Sequence, residues 1–172
     1  MADKSCGPPT RLIRWCCEKY KEQGGNGKFK AIGVRAEESP RRKGIWTTVN
    51  NNNGGQILCP IIYWTEQDIW QFIRQHEMKY CSLYDEGFKR LGCVGCPMGG
   101  KKRAVEFKRW PKYEKLWKRG FQTFWDKYKG TPTRTGKERS LEKFSSVDEL
   151  WSWWMEENVN DTDQPDCQMY LW

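Results

Sequence analysis

The chain has 172 residues, 37% of them hydrophobic, and 11 Trp, 7 Tyr and 7 Phe supply much of that fraction. This is enough for one domain with a core built on rings, and too few for two comfortable ones. The net charge of +8 suits an anionic partner such as nucleic acid, nucleotide or phosphate. No apolar run approaches the roughly 18 residues of a membrane span, and the N-terminal "MADKSCGPPTR" has no apolar core. The expectation is therefore a cytoplasmic chain with no membrane partner, whose eight cysteines act in packing, redox chemistry or metal binding rather than in disulfides.

In chain order, residues 9–23 read as a helix that opens on Pro9 and carries Leu12, Ile13, Cys16, Cys17 and Tyr20 at helical spacing. "GGNG" ends it. A strand is expected from Phe29 to Val34, and "SPRRKG" reads as a turn with three cations. "IWTTV" at 45–49 reads as a strand, "NNNNGG" at 50–55 as a flexible loop, and "QILCPIIYW" as a second strand leading to a helix. That helix has Thr65 as N-cap and Asp68 at N3, with Ile69, Trp70, Phe72 and Ile73 as its apolar face through about residue 77. A glycine-rich loop follows. Helices are then predicted over 101–109 and 111–128, the second with an aromatic stripe of Tyr113, Trp117, Phe121, Phe124 and Tyr128 that suits a core. "GTPTRTGKERS" reads as a basic linker, and Ser146 caps a last helix over 147–157.

The cysteines form a pattern. Cys93 and Cys96 stand in "LGCVGCPMGG", a CxxC flanked by glycines and followed by Pro, which is a metal knuckle in form. The glycines let the backbone wrap tightly, so amide N–H groups are expected to face the thiolates. A cysteine-only site takes four thiolates, and the adjacent Cys16 and Cys17 are candidates for the other two. Adjacent thiolates on a helix diverge. They reach two irons of one cubane more easily than a single zinc, so the pattern favours a 4Fe–4S cluster, with zinc as the alternative. A plainer reading keeps Cys16 and Cys17 as buried helix residues. Cys6, Cys59 and Cys81 have no partner spacing and read as packing or loop residues.

"RWCCEKYKE", "AIGVRAEESPRR", "CPIIYWTEQDIWQFI" and "GFKRLGCVGCP", in that order and at that spacing, resemble the sulfonucleotide (APS/PAPS) reductase family, in its cluster-bearing branch. The resemblance runs from about residue 8 to about residue 110. It implies an α/β fold of the adenine-nucleotide α-hydrolase-like (PP-loop) type, here partial, with a helical C-terminal region. The implied organisation is a core with its cysteine-ligated site over 8–110, a helical region over 111–158 and a tail over 159–172. It also implies Cys16, Cys17, Cys93 and Cys96 as ligands of a 4Fe–4S cluster, and Arg35, Arg41 and Arg42 as contacts to an adenine sulfonucleotide or other anionic ligand. Planar cations in a turn suit phosphate or sulfate on their own chemistry as well.

Two departures bear on the activity. The family's N-terminal glycine-rich phosphate loop, of the SGGKD type, has no counterpart here. Either the chain is a fragment, or it works with a partner chain that supplies that loop, or it has lost nucleotide chemistry, and the chain alone is expected to turn over little substrate. The family's attacking cysteine lies near the C-terminus, where this chain has Cys167 in "PDCQMYLW", beside Asp163 and Asp166, which disfavour a thiolate. The expected function is thiol-dependent reduction of an activated sulfonucleotide, or a related sulfur transfer, with a thioredoxin-like reductant. The alternatives are a metal-stabilised nucleic-acid-binding module, for which the basic, aromatic segment 101–139 is the signal, and a degenerate partner subunit of a complete homologue.

Overall fold

A computed structural model of the chain describes residues 7–22, 27–52 and 55–156. The architecture is mixed α/β, and the described residues divide into two compact units, one of 17–91 and one of 7–16 with 92–156. The first helical element, α1 (Trp15–Cys17), is a single turn that widens into a π turn over Glu18–Glu22. The helix expected from residue 9 thus starts late. Pro8 and Pro9 carry no amide hydrogen. Thr10 closes a turn of its own, with the Ile13 N–H donating to Thr10 Oγ1 at 3.0 Å and the Thr10 N–H to the Ile13 carbonyl at 3.1 Å. Leu12 and Ile13 end up 70% and 50% exposed.

In the unit of 17–91, β1 (Lys30–Ala31), α2 (Pro40–Ile45), β2 (Val49–Asn52), β3 (Gly55–Leu58) and α3 (Glu66–Gln75) follow in order. The strands pair in the order β1-β3-β2, with β1 parallel and β2 antiparallel to β3. The register sets Lys30 opposite Ile57 and Val49 opposite Leu58. Strand β1 is shorter than the expected 29–34, although Val34 still turns inward and is buried. The segment "SPRRKG", expected as a turn, is α2. Ser39 is its N-cap, accepting from the Arg42 N–H at 3.2 Å, and Pro40 sits at the start, where its missing N–H costs nothing. Strand β2 begins at Val49 because Asn50 folds back on Thr47, donating to its carbonyl at 2.6 Å and accepting its N–H at 3.0 Å. Asn50–Asn52, expected in a loop, pair in the ladder. Val34, Trp46, Ile57, Cys59 and Ile62 form the small core. Helix α3 carries the predicted capping box of Thr65 and Asp68. Its apolar residues meet neighbouring rings rather than a deep core, with Trp70 edge-on to Tyr80 and Tyr84 at 5.2 and 5.4 Å.

The other unit holds α4 (Lys102–Arg109), α5 (Pro111–Tyr128) and α6 (Val147–Glu156), close to their predicted bounds. Ser146 caps α6 as expected, its hydroxyl accepting from the Glu149 N–H at 3.1 Å. Phe107, Phe121, Phe124, Leu141, Phe144, Leu150 and Trp154 form the core. The aromatic stripe of α5 is therefore a core face: Trp117 stacks on Trp154 at 4.9 Å, and Phe121 meets Trp151 and Trp154, each at 5.2 Å. The segment read as a basic linker is a fastened loop. Lys129 Nζ donates to the carbonyls of Leu141, Glu142 and Phe144 at 3.4, 3.3 and 2.7 Å. Arg139 lies 4.7 Å over the Tyr128 ring and donates to Thr131 O at 3.0 Å.

Arg103, fully buried, joins α4 to the end of α6. Its Nη2 donates to the carbonyls of Trp154 and Met155, both at 2.9 Å, and its guanidinium lies 4.3 Å over the Trp154 ring. Terminal carbonyls of a helix need donors, and a cation there also meets the negative end of the helix dipole. Arg103→Ala is expected to lower unfolding stability by about 3 kcal/mol, since hydrogen bonds to a charged donor contribute about 1.5–3 kcal/mol each. Arg103→Lys is expected to recover little of this, because an ammonium lacks the planar fork. Urea unfolding followed by tryptophan emission measures both.

Candidate functional site

The Cys93–Cys96 loop is built as a tight turn. The Cys96 N–H donates to the Cys93 carbonyl at 3.1 Å and the Gly99 N–H to the Cys96 carbonyl at 2.8 Å. Pro97–Gly99 then makes one 3-10 turn. Cys93 is exposed and Cys96 half-buried. Gly95 stands at φ +75°, and a Cβ on it would meet Phe107 Cζ at 2.6 Å and Trp117 Nε1 at 2.7 Å. Only glycine fits that conformation and that approach. Two side chains fasten the loop from behind: Glu106 Oε2 accepts the Gly95 N–H at 2.8 Å, and the Trp117 indole N–H donates to the Val94 carbonyl at 3.1 Å. The amides of Gly95, Cys96 and Gly99 thus go to oxygen, not to the thiolates as expected, because the turn and Glu106 claim them first.

Cys16 and Cys17 are half-buried in α1, and the division between the two units falls between them. Among the described residues, no group of three or more His, Cys, Asp or Glu side chains is gathered closely enough to hold a metal ion. The donor chemistry still fits a thiophilic group: thiols on a wrapped turn and a tandem thiol pair are soft ligands of the kind that take zinc or iron–sulfur centres. Cys59 is buried, with Asn50 Nδ2 at 3.6 Å from its sulfur, and burial pushes its thiol up despite that hydrogen bond. Cys81 is exposed in a loop. Both match their reading as packing or loop residues. Cys6 and Cys167 lie outside the described residues.

The three candidate anion-binding arginines divide. Arg35 and Arg42 converge on Glu38: Arg35 Nε lies 3.6 Å from it, and Arg42, itself buried, forms an ion pair with it one helical turn on. Arg35 also pairs with Glu37 at 2.8 Å. Arg41 is exposed. Glu37 reaches further still, accepting the Glu66 N–H at 2.6 Å in the first turn of α3. Its carboxylate occupies the place an external anion takes at a helix start. Beside it opens a groove of about 910 Å³, lined by Glu37, Glu66, Trp70, Gln71 and Arg74 among others. The nearby Asp68 carboxyl is held below its ordinary range by hydrogen bonds from Thr65, the backbone one first. Sequence reasoning passed over Glu37 and Glu38. The Glu38–Arg42 spacing of four was legible as a helical ion pair, but only once "SPRRKG" is read as a helix.

A profile of the phosphoadenosine phosphosulfate reductase domain matches residues 3–99. The chain is 33% identical over 87 residues to the adenosine 5'-phosphosulfate reductase of Anoxybacillus flavithermus, covering 47% of this chain and 37% of that one. It is 32% identical over 90 residues to that of Bacillus anthracis, covering 48% and 39%. It is 37% identical over 83 residues to an uncharacterised 37.8 kDa protein in the gpa 5' region of Escherichia phage 186, covering 46% and 25%. The matches thus span between 25% and 39% of the length of these relatives. No solved structure matches. The matched residues 3–99 hold both cysteine pairs and all three arginines, and with more than half of its length matched the chain belongs to the phosphoadenosine phosphosulfate reductase family.

Proposed function

We propose that this chain acts in the thiol-dependent reduction of an activated adenine sulfonucleotide, or in a closely related sulfur transfer. Cys16, Cys17, Cys93 and Cys96 would hold a 4Fe–4S cluster. When bound, such a group supplies iron and sulfide centres whose charge changes by an electron. The observation that carries the reading is the CxxC turn, wrapped around Gly95 and fastened by Glu106 and Trp117, inside the family-matched residues. Metal binding to such thiols is coupled to local folding, so gathering the ligands belongs to loading itself. The reading takes a PP-loop-like fold as the frame, with Cys167 as the attacking thiol and a thioredoxin-like protein as reductant. Arg41, exposed on α2, would meet the substrate's anionic groups, while Arg35 and Arg42 are held on Glu37 and Glu38.

Three outcomes test this. Cys96→Ser should lose iron and acid-labile sulfide together. Parent protein that stays colourless after reconstitution with iron and sulfide, yet binds zinc tightly, would overturn the cluster. Gly95→Ala should reduce bound iron by at least about half and lower stability by about 1–3 kcal/mol, because the new methyl group overpacks against Phe107 and Trp117 at a left-handed position. Gly44→Ala meets nothing within 4 Å and should leave iron content unchanged. Arg41→Ala should weaken adenosine phosphosulfate binding by about tenfold in calorimetry, equivalent to about 1.4 kcal/mol of lost charge-assisted bonding. Unchanged affinity would remove Arg41 from the site.

A further inference from the structure

Residues 101–139 carry fourteen Lys and Arg against four Asp and Glu, which makes this segment more positive than the whole chain at +8. The structure separates the cations that hold the fold from those that do not. Arg103 is buried on the end of α6, Lys129 and Arg139 fasten their loop, and Lys118 pairs with Glu114 at 2.8 Å. Lys102 and Lys108 on α4, and Lys112, Lys115 and Arg119 on α5, are exposed. The α5 trio is spaced by three and four residues, which places it in one stripe about 10 Å long on the solvent side.

The carboxylates of this segment do little to neutralise that face. Glu106 accepts the Gly95 N–H, Glu114 holds Lys118, and Asp126 accepts from Gln122 Nε2 at 2.8 Å. Glu138 is exposed in the following loop. Among the cations stand apolar side chains that the core does not take: Val105 at 60% exposed, Tyr113 at 49% and Leu116 at 58%. A purely solvating face has no use for them. A phosphodiester chain does, since its charges track a basic stripe while its unpaired bases seek a ring to stack on.

We infer that the solvent face of α4 and α5 is a docking surface for single-stranded nucleic acid, with Lys112, Lys115 and Arg119 along the backbone and Tyr113 under a base. This stands independently of the cysteine chemistry above. The test is fluorescence anisotropy of a labelled oligonucleotide of about 16 nucleotides with the full chain, between about 50 and 200 mM salt. Affinity should fall as salt rises. The combined Lys112→Glu, Lys115→Glu, Arg119→Glu variant should bind at least about tenfold more weakly and show a shallower salt slope. Tyr113→Ala should weaken binding about fivefold with the slope unchanged, as expected for lost stacking. A control with the same charge change in the other unit, Lys19→Glu, Lys21→Glu, Lys79→Glu, should stay within about threefold of the parent. Circular dichroism checks each fold. If the α5 reversal unfolds, Lys112→Gln with Arg119→Gln takes its place. Absence of binding at the lowest salt, an equal loss in the control, equal affinity for a duplex of the same sequence, or tighter binding to phosphatidylserine vesicles would each overturn the assignment.

Discussion

Trp154 is the residue on which one whole unit depends. It is fully buried, and three separate parts of the chain meet on it. Its indole N–H donates to the Pro9 carbonyl at 2.8 Å, Arg103 of α4 lies over its ring, and Trp117 of α5 stacks on it. A buried indole must place its N–H on an acceptor, and Pro9, lacking an amide hydrogen, offers only its carbonyl. The segment at 7–9 is itself buried, and Gly7, at φ +91°, lies so close to Phe124 that a Cβ would come within 3.2 Å of the ring. Trp15 then donates its own indole N–H to the Gly7 carbonyl at 3.1 Å. The stretch leading into Cys16 is thus fixed by hydrogen bonds from two tryptophans, not by helix propensity.

How legible this was in the sequence follows from the range of the interactions. Helices α3 to α6 were readable because their signals are local: a capping box at Thr65 and Asp68, Pro111 at a helix start, Ser146 as a cap, and rings at helical spacing. The N-terminal helix reads longer in the sequence than it folds. Leu12 and Ile13 fit the helical period, but the prolines and the Thr10 turn act against it and nothing buries them. Helix α2 is not legible in the sequence because Ser39–Pro40 is equally good turn chemistry, and the deciding contact is the ion pair of Arg42 with Glu38. The site followed the same rule. The cysteine spacings were visible at once. Glu106 and Trp117 were not, because each acts on the loop from more than ten residues away.

The arginines show why residue type alone does not assign an anion site. A guanidinium that suits sulfate suits a carboxylate equally well. Here Glu37 and Glu38 supply the carboxylates from within the same short segment, and they do so at a helix start where backbone N–H groups also point outward. The acidic pair thereby orders α2 and α3 together through one network. It leaves the exposed Arg41 as the member of the set that is presented to solvent.

The family match and the folding unit do not coincide, and that has a physical consequence. The matched residues end at 99, just past the second cysteine pair. The groups that shape the Cys93–Cys96 turn lie further along: Glu106 on its amide, Phe107 against Gly95, Trp117 on the Val94 carbonyl. Phe107 and Trp117 are in turn packed by Trp151 and Trp154 of α6. The CxxC turn therefore takes its geometry from α4, α5 and α6. Those helices are the scaffold that holds the turn's backbone in a conformation only Gly95 can adopt. In the same unit, the apolar sides of α4 and α5 bear on the cysteine loop while their charged sides face water. One pair of helices thus supports the cysteine turn on one side and presents cations on the other.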